Sequence, residues 1–292
     1  MSCSSCLNAW EKFSHLKRCS RIRSAMYATT YSVNTSAGRS HNVAKITKEK
    51  YPGLIKSWSF SRYSDYCKCP AMAKYKYIDK IVNPDDQKSE ALQRGAHIHE
   101  LAEGYLKGTI ARLPKELKAF EDEFKKLRKQ YKKKVSGMTV EDQWAFTNDW
   151  QETDWFDMAN CWLRIKLDCA HHEDDETLIV TDWKTGKFRD SMNEQYVQQL
   201  ELYALASFIL YDHIQVVKPR LVYLDQNLIY PEPDSDELVF TRDQVPALTK
   251  KWEKAVKPML SDKVFRPRPG DHCRWCFYKK SNAAKGGGQC KF

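Results

Sequence analysis

Three residues of this chain have the type and spacing to do chemistry together: Asp168, Asp182 and Lys184. They lie in CWLRIKLDCAHHEDDETLIVTDWKTGK, residues 161–187, where two apolar runs flank a polar, acidic segment. That pattern predicts a β-hairpin. In a strand, residues two apart share a face, so Asp182 and Lys184 point the same way. In an antiparallel pair, partner residue numbers have a constant sum. With the turn centred near Asp175, Asp168 therefore falls opposite Asp182, and paired Cβ atoms sit ~5 Å apart. Two carboxylates at that distance repel, and a divalent cation resolves the conflict. Mg²⁺ takes oxygen ligands, usually one or two carboxylates plus substrate phosphate. Lys184 beside such an ion could hold an attacking water or offset charge growing on a phosphorus centre. A surface hairpin with an ordinary Asp–Lys pair has the same local pattern, so the rest of the chain must decide.

The 292 residues suffice for one large domain or two smaller ones, and a hydrophobic content of 42% supports a sizeable core. No apolar run approaches the ~20 residues of a membrane span. The formal net charge of +10 points to polyanions, nucleic acid ahead of a membrane surface. The ten cysteines are not spaced as a secreted disulfide framework, and no apolar signal-peptide core is present. Most are expected to be free or buried thiols in a reducing, cytoplasmic compartment, with Cys161 and Cys169 as strand residues beside the acidic site.

Residues 1–52 differ from the rest. They are rich in Ser, Thr and basic residues, with Glu11 and Glu49 as their acids, and are expected to form a poorly ordered extension. Residues 53–292 are then one domain. A helix capped by Ser59 or Ser61 precedes Cys69-Pro70, and Pro70 suits the start of the next helix. SEALQRGAHIHELAEGYLKG predicts a helix ending at Gly108, with Gly95, His99, Ala102, Glu103 and Leu106 on one stripe. Leu113 to Lys134 predicts a second helix with a basic face that could track phosphates or simply be solvated. MTVEDQWAFTNDW reads as a strand carrying Glu141, and Glu194 to Tyr211 as an apolar helix with Gln199 and Tyr203 on one face. Strand pattern returns at PRLVYLDQNLIYPEP, and a last helix spans Thr241 to Leu260.

The C-terminal motif, residues 265–292, holds Cys273-x-x-Cys276 and then Cys290, with Pro and Gly throughout. Three thiolates leave a tetrahedral site one ligand short. Cys69 or Cys67 could supply the fourth, and His272 would serve if the ion is zinc.

Together these motifs resemble the RecB-like, Cas4-like branch of the PD-(D/E)xK nuclease superfamily, which includes many phage exonucleases. The resemblance runs from about Trp58 to the end. It matches Gly95 and His99 to a Gly-x-x-x-His helix, Asp168 to a strand aspartate, Asp182 and Lys184 to the Asp-x-Lys strand, and Gln199 and Tyr203 to a Gln-x-x-x-Tyr helix. It implies an α/β, restriction-endonuclease-like core: a central mixed sheet flanked by helices. It implies Mg²⁺ or Mn²⁺ held by His99, Asp168, Asp182 and the backbone carbonyl of Trp183. Lys184 would then act on the water, Gln199 and Tyr203 would position it or the strand, and Glu103 would add an outer contact. A subset of the family carries a [4Fe–4S] cluster on one Cys-Pro cysteine and three C-terminal ones, which resemble Cys69, Cys273, Cys276 and Cys290. The long gap before Cys290 departs from that pattern. The function implied is a metal-dependent DNA exonuclease acting on DNA ends in phage or bacterial recombination, repair or replication. It would act in the bacterial cytoplasm, with a helicase or single-strand annealing protein as partner. The alternative is a non-catalytic DNA-binding or scaffold module with a structural zinc or Fe–S site.

Overall fold

The computed structural model describes residues 50–292 except Lys88, Ser136 and Asp234. Six strands form one mixed sheet: β1 (Thr139–Phe146), β2 (Leu163–His172), β3 (Thr177–Lys184), β4 (Val216–Tyr223), β5 (Leu228–Tyr230) and β6 (Phe240–Thr241). The path runs β1-β2-β3-β4-β5, with β6 also pairing β4. β3 and β4 are parallel, and the other pairs are antiparallel. A parallel pair needs a long crossover, supplied by the apolar helix Asn193–Leu210. The β2–β3 register includes Cys169↔Thr181 and His172↔Leu178, so the constant sum expected from the sequence holds.

Helices cover both faces, as the α/β expectation requires. We number them α1 (Phe60–Lys68), α2 (Pro70–Tyr77), α3 (Glu90–Lys107), α4 (Glu121–Lys132), α5 (Asn193–Leu210) and α6 (Val245–Ser261). The local signals act as predicted at several ends. The Ser59 hydroxyl accepts from the Arg62 N–H, Pro70 opens α2, and Gly108, left-handed, ends α3. The segment expected as one helix from Leu113 begins instead as a 3-10 turn, Lys115–Phe120, before α4.

One core joins the sheet to α5 and α6 through Leu200, Leu205, Phe208, Trp252 and Met259. Trp58 stacks on Trp252 at 5.6 Å and meets the edge of Trp162 at 5.4 Å, tying the segment before α1 to the last long helix. Tyr51, placed by the sequence in the N-terminal extension, packs on Trp162 at 5.9 Å and is buried. The rest of that expectation, residues 1–49, lies outside the described residues. The second core, on the other face, joins Ile98, Leu106, Phe124 and Leu127 of α3 and α4 to Cys169 and Trp183. Cys161 is not a strand residue beside the acids: it precedes β2, where its thiol lies 3.7 Å from the Leu163 carbonyl. No described helix is long and apolar enough to cross a membrane.

Where the two cores meet, the β1–β2 ladder reverses its faces. Strict alternation would put Leu167 and Cys169 on the same side. Instead Leu167 joins the first core and Cys169 the second. The reversal falls at Glu141, a non-glycine residue with φ 51°. The flanking pairs Val140↔Cys169 and Asp142↔Leu167 set Glu141 opposite Asp168. A left-handed residue inside a strand costs about 1–3 kcal/mol and commonly marks a functional position.

Candidate active site

The registers line up three carboxylates across adjacent strands: Glu141 on β1, Asp168 on β2 and Asp182 on β3. All three are largely buried. Helix α3 adds His99, one residue past the buried Ile98, so the ring lies at the margin of the second core. Its Nδ1 sits 3.2 Å from Glu141 Oε1 and 3.2 Å from Asp168 Oδ1. The other Asp168 oxygen accepts from the Trp183 backbone N–H at 2.6 Å. The donor atoms of His99, Glu141 and Asp168 all lie within 4.8 Å of one another, as a single cation would need.

Asp182 lies outside that trio, held by different partners. Its Oδ1 accepts from the Tyr203 hydroxyl at 3.1 Å, and its Oδ2 pairs with the Lys184 ammonium. The Gln199 amide donates to the Tyr203 hydroxyl at 2.9 Å, so these α5 residues act as a relay onto Asp182. Glu103 stays apart, paired with Lys107 at 2.6 Å. Gly95 faces Thr185, and an added Cβ would make only an ordinary 3.5 Å contact there. Nearby, Arg94 and the Gly186 N–H both bind Asp225, which ties α3 to the end of β3. His97 points to solvent.

The electrostatics follow from this crowding. Burial pulls the His99 imidazole down, but its bonds to Asp168 and Glu141 outweigh that and lift it to about 10. Burial, and then the Asp182 charge, push the Asp168 carboxyl up. Burial raises Glu141, and the stronger pull of His99 and Lys166 leaves it below the usual range. Burial opposes the Lys184 charge, yet Asp182 holds its pKa above the ordinary value, so it stands as an ammonium. Three acids thus face three cations: His99, Lys166 and Lys184. A cation held by the trio would compete with a proton on His99.

Glu141 was expected on its strand without a site role, and Lys166 was not singled out by the sequence. Lys166 Nζ pairs with Glu141 Oε2 at 2.9 Å. Glu141 could be placed only by knowing that β1 lies beside β2 and in which register. The same holds for the cleft outside Lys184, of about 860 Å³, which is lined by Arg62, Lys68, Lys76, Arg164, Lys166 and Arg189, with Asp65 as the acid. These cations come from four separate segments. The basic end of α4, Lys132 to Lys134, is exposed and does not line this cleft.

Away from the acids, Cys69, Cys273, Cys276 and Cys290 line one small cavity together with His272 and Tyr75. Cys69 is buried and receives the Arg268 backbone N–H at 3.4 Å, while Cys67 is exposed and absent from the lining. The gap before Cys290 folds back on itself. A Cβ on Gly287 would meet the Phe277 carbonyl oxygen at 2.2 Å, and Gly288 has φ +92°, so glycine is needed at both positions. The return pairs Cys290 with Lys279.

The family model for the PD-(D/E)XK nuclease superfamily matches residues 57–281. No curated protein matches. Among solved structures, the chain is similar to one described as "Crystal structure of SSO0001", with 12% identity and a TM-score of 0.41 over 82% of this chain and 93% of that one. That likeness is too distant to carry an argument.

Proposed function

This chain belongs to the PD-(D/E)XK nuclease superfamily, and from that premise we propose that it is a metal-dependent DNA exonuclease of the RecB-like, Cas4-like branch. It would act on DNA ends in recombination, repair or replication. One observation carries the reading: the His99–Glu141–Asp168 trio and the Asp182–Lys184 pair stand together beside a basic cleft. The trio would hold the divalent cation, with Asp182 and the Trp183 carbonyl completing the set. An imidazole among oxygen donors suits Mn²⁺ as well as Mg²⁺. The cation, when bound, supplies Lewis-acid stabilisation of the phosphodiester.

The protein's own residues do the rest. Lys184, an ammonium, orients the water and offsets charge on the phosphoryl oxygens. Tyr203, steadied by Gln199, keeps Asp182 turned toward Lys184. The cleft cations take the DNA backbone. The rival reading, a non-catalytic DNA-binding module, leaves the buried Asp182–Lys184 pair and the converging trio without a purpose.

The four cysteines would hold a [4Fe–4S] cluster. All four line one small cavity, and the exposed Cys67 lies outside it. The cluster would join Cys69 to the C-terminal tail, closing a loop of about two hundred residues. DNA is the macromolecular partner, and a helicase or annealing protein would supply the ends, in the bacterial cytoplasm.

The test is digestion of end-labelled linear and closed circular DNA with Mg²⁺ or Mn²⁺ by protein purified without oxygen. Linear DNA should be degraded from its ends and the circle spared. Lys184→Ala should lose about 10²–10³-fold in rate while still binding DNA. Equal attack on the circle would refute the exonuclease assignment, and undiminished cleavage by the variant would refute the role of Lys184.

A further inference from the structure

Between β1 and β2 the chain makes a loop, TDWFDMAN, residues 153–160, that ends in two large apolar side chains facing water. Phe156 is 76% exposed and Met158 is 87% exposed. Two such residues, two positions apart in one loop, are unusual for a surface this highly charged. The loop is braced so that it presents them. The Asp154 carboxylate accepts the Phe156 N–H at 2.7 Å. Asp157 accepts the Thr153 hydroxyl at 3.0 Å, the Ala159 N–H at 3.1 Å and the Asn160 N–H at 3.0 Å. Its own carbonyl receives the Cys161 N–H at 2.9 Å. Local bonds of this kind fix a turn. The two apolar groups are therefore held outward and do not collapse onto the core.

The loop also touches the cleft. Trp155, the residue before Phe156, is part of the cleft wall. Its carbonyl accepts from Arg164 Nε at 2.9 Å, and the Arg164 guanidinium lies 5.6 Å from its ring centroid. Arg164 is itself a cleft cation. The apolar pair thus stands next to the place where a phosphate backbone would enter. The cleft, of about 860 Å³, has room for a few nucleotides of one strand.

We propose that this loop is a wedge: Phe156 and Met158 insert at the terminal base pairs of duplex DNA, part them, and direct one strand along Trp155 and Arg164 into the cleft. Apolar side chains placed against base steps part stacked bases in this way. Bases and phosphates are recognised together where an aromatic and a cation alternate, as Trp155 and Arg164 do. The proposal rests on the DNA-end reading above and adds the step before cleavage.

The experiment compares the full-length parent with the double variant Phe156→Ser/Met158→Ser and the conservative double variant Phe156→Leu/Met158→Leu. Each is given blunt duplex, the same duplex with a non-complementary splayed end, and single strands. The serine variant should digest blunt duplex about tenfold more slowly, and should stay within twofold of the parent on splayed ends and single strands. Neither residue lines the cleft. The leucine variant should keep the parent's rate on all three. In parallel, 2-aminopurine placed at the duplex terminus reports opening on binding with Ca²⁺ in place of Mg²⁺. Its fluorescence should rise with the parent and not with the serine variant. Equal losses on blunt and splayed substrates would overturn the wedge, as would undiminished digestion of blunt duplex. If the parent cleaves no DNA at all, the nuclease reading fails by itself. The fluorescence then decides the wedge alone, and no rise with the parent overturns it.

Discussion

Replacing Glu141 by Gln separates a metal ligand from a structural brace. The change keeps shape and removes one charge. On the stability side, Glu141 loses its pair with Lys166, whose side chain is 60% exposed, and a pair with so exposed a partner is worth about 1 kcal/mol or less. His99 keeps its 3.2 Å contact with Asp168, and a glutamine oxygen can still accept from its Nδ1, so the lost Glu141–His99 attraction is set against the lost Glu141–Asp168 repulsion. The terms nearly cancel, so stability should change by about 1 kcal/mol at most, or about 2–4 °C in Tm. On the metal side the loss is much larger. Outer partners of metal ligands are worth about 10–100-fold in affinity, and a direct, charged ligand should cost at least the upper figure, about 2.7 kcal/mol. The assay is calorimetric titration with Mn²⁺ beside a thermal melt. Asp142→Asn is the control, because that neighbour's carboxylate is bound by the Gln143 N–H and the Trp144 indole, and it should leave Mn²⁺ affinity unchanged. A Mn²⁺ affinity for Glu141→Gln within threefold of the parent would refute the ligand assignment and leave Glu141 as a brace for His99 and Lys166.

Cys69→Ser should abolish the brown colour of protein purified without oxygen, with absorbance near roughly 400 nm, and should lower Tm, whereas Cys67→Ser should keep both; the opposite pattern would reassign the first ligand. His171 gives an acid limb to stability. Burial first, then the charges of Arg220, Lys126 and His172, hold its imidazole down at about 3, and its Nδ1 has no hydrogen-bond partner. The unfolded chain takes up this proton near pH ~6.5 while the folded one does not. Stability is therefore complete above pH ~6.5 and should fall by up to ~1.4 kcal/mol per pH unit on the way down toward 3. Urea melts of His171→Leu between pH 7 and 5 should show a flatter slope; an identical slope would place the acid sensitivity elsewhere.

The hairpin that carries Asp168, Asp182 and Lys184 was legible because everything about it is local. Two β-branched runs, an acidic turn and the period of two fix the register, and the Cys169↔Thr181 pairing agrees with the expected sum. The Ser59 cap, the Pro70 start and the Gly108 stop were legible for the same reason, since each concerns groups within one helical turn. The two-sided covering of a mixed sheet was expected through the resemblance to the nuclease superfamily, and not from local pattern. The third carboxylate was not legible. Glu141 reaches Asp168 only because β1 lies against β2 in one register and turns left-handed at that residue, reversing the faces of the ladder. Glu141 was expected on a strand without a ligand role, and that role comes from the partner strand. The cleft is likewise a product of packing. Arg62, Lys76, Arg164 and Arg189 are far apart in sequence and read singly as solvated surface, and they converge because the Trp58–Trp162–Trp252 contacts hold α1 against the sheet and α6. Local periodicity determined which elements form and which way their side chains alternate; the long-range pairing of those elements decided which charges meet, because charge interactions depend on distance in space and not on separation along the chain.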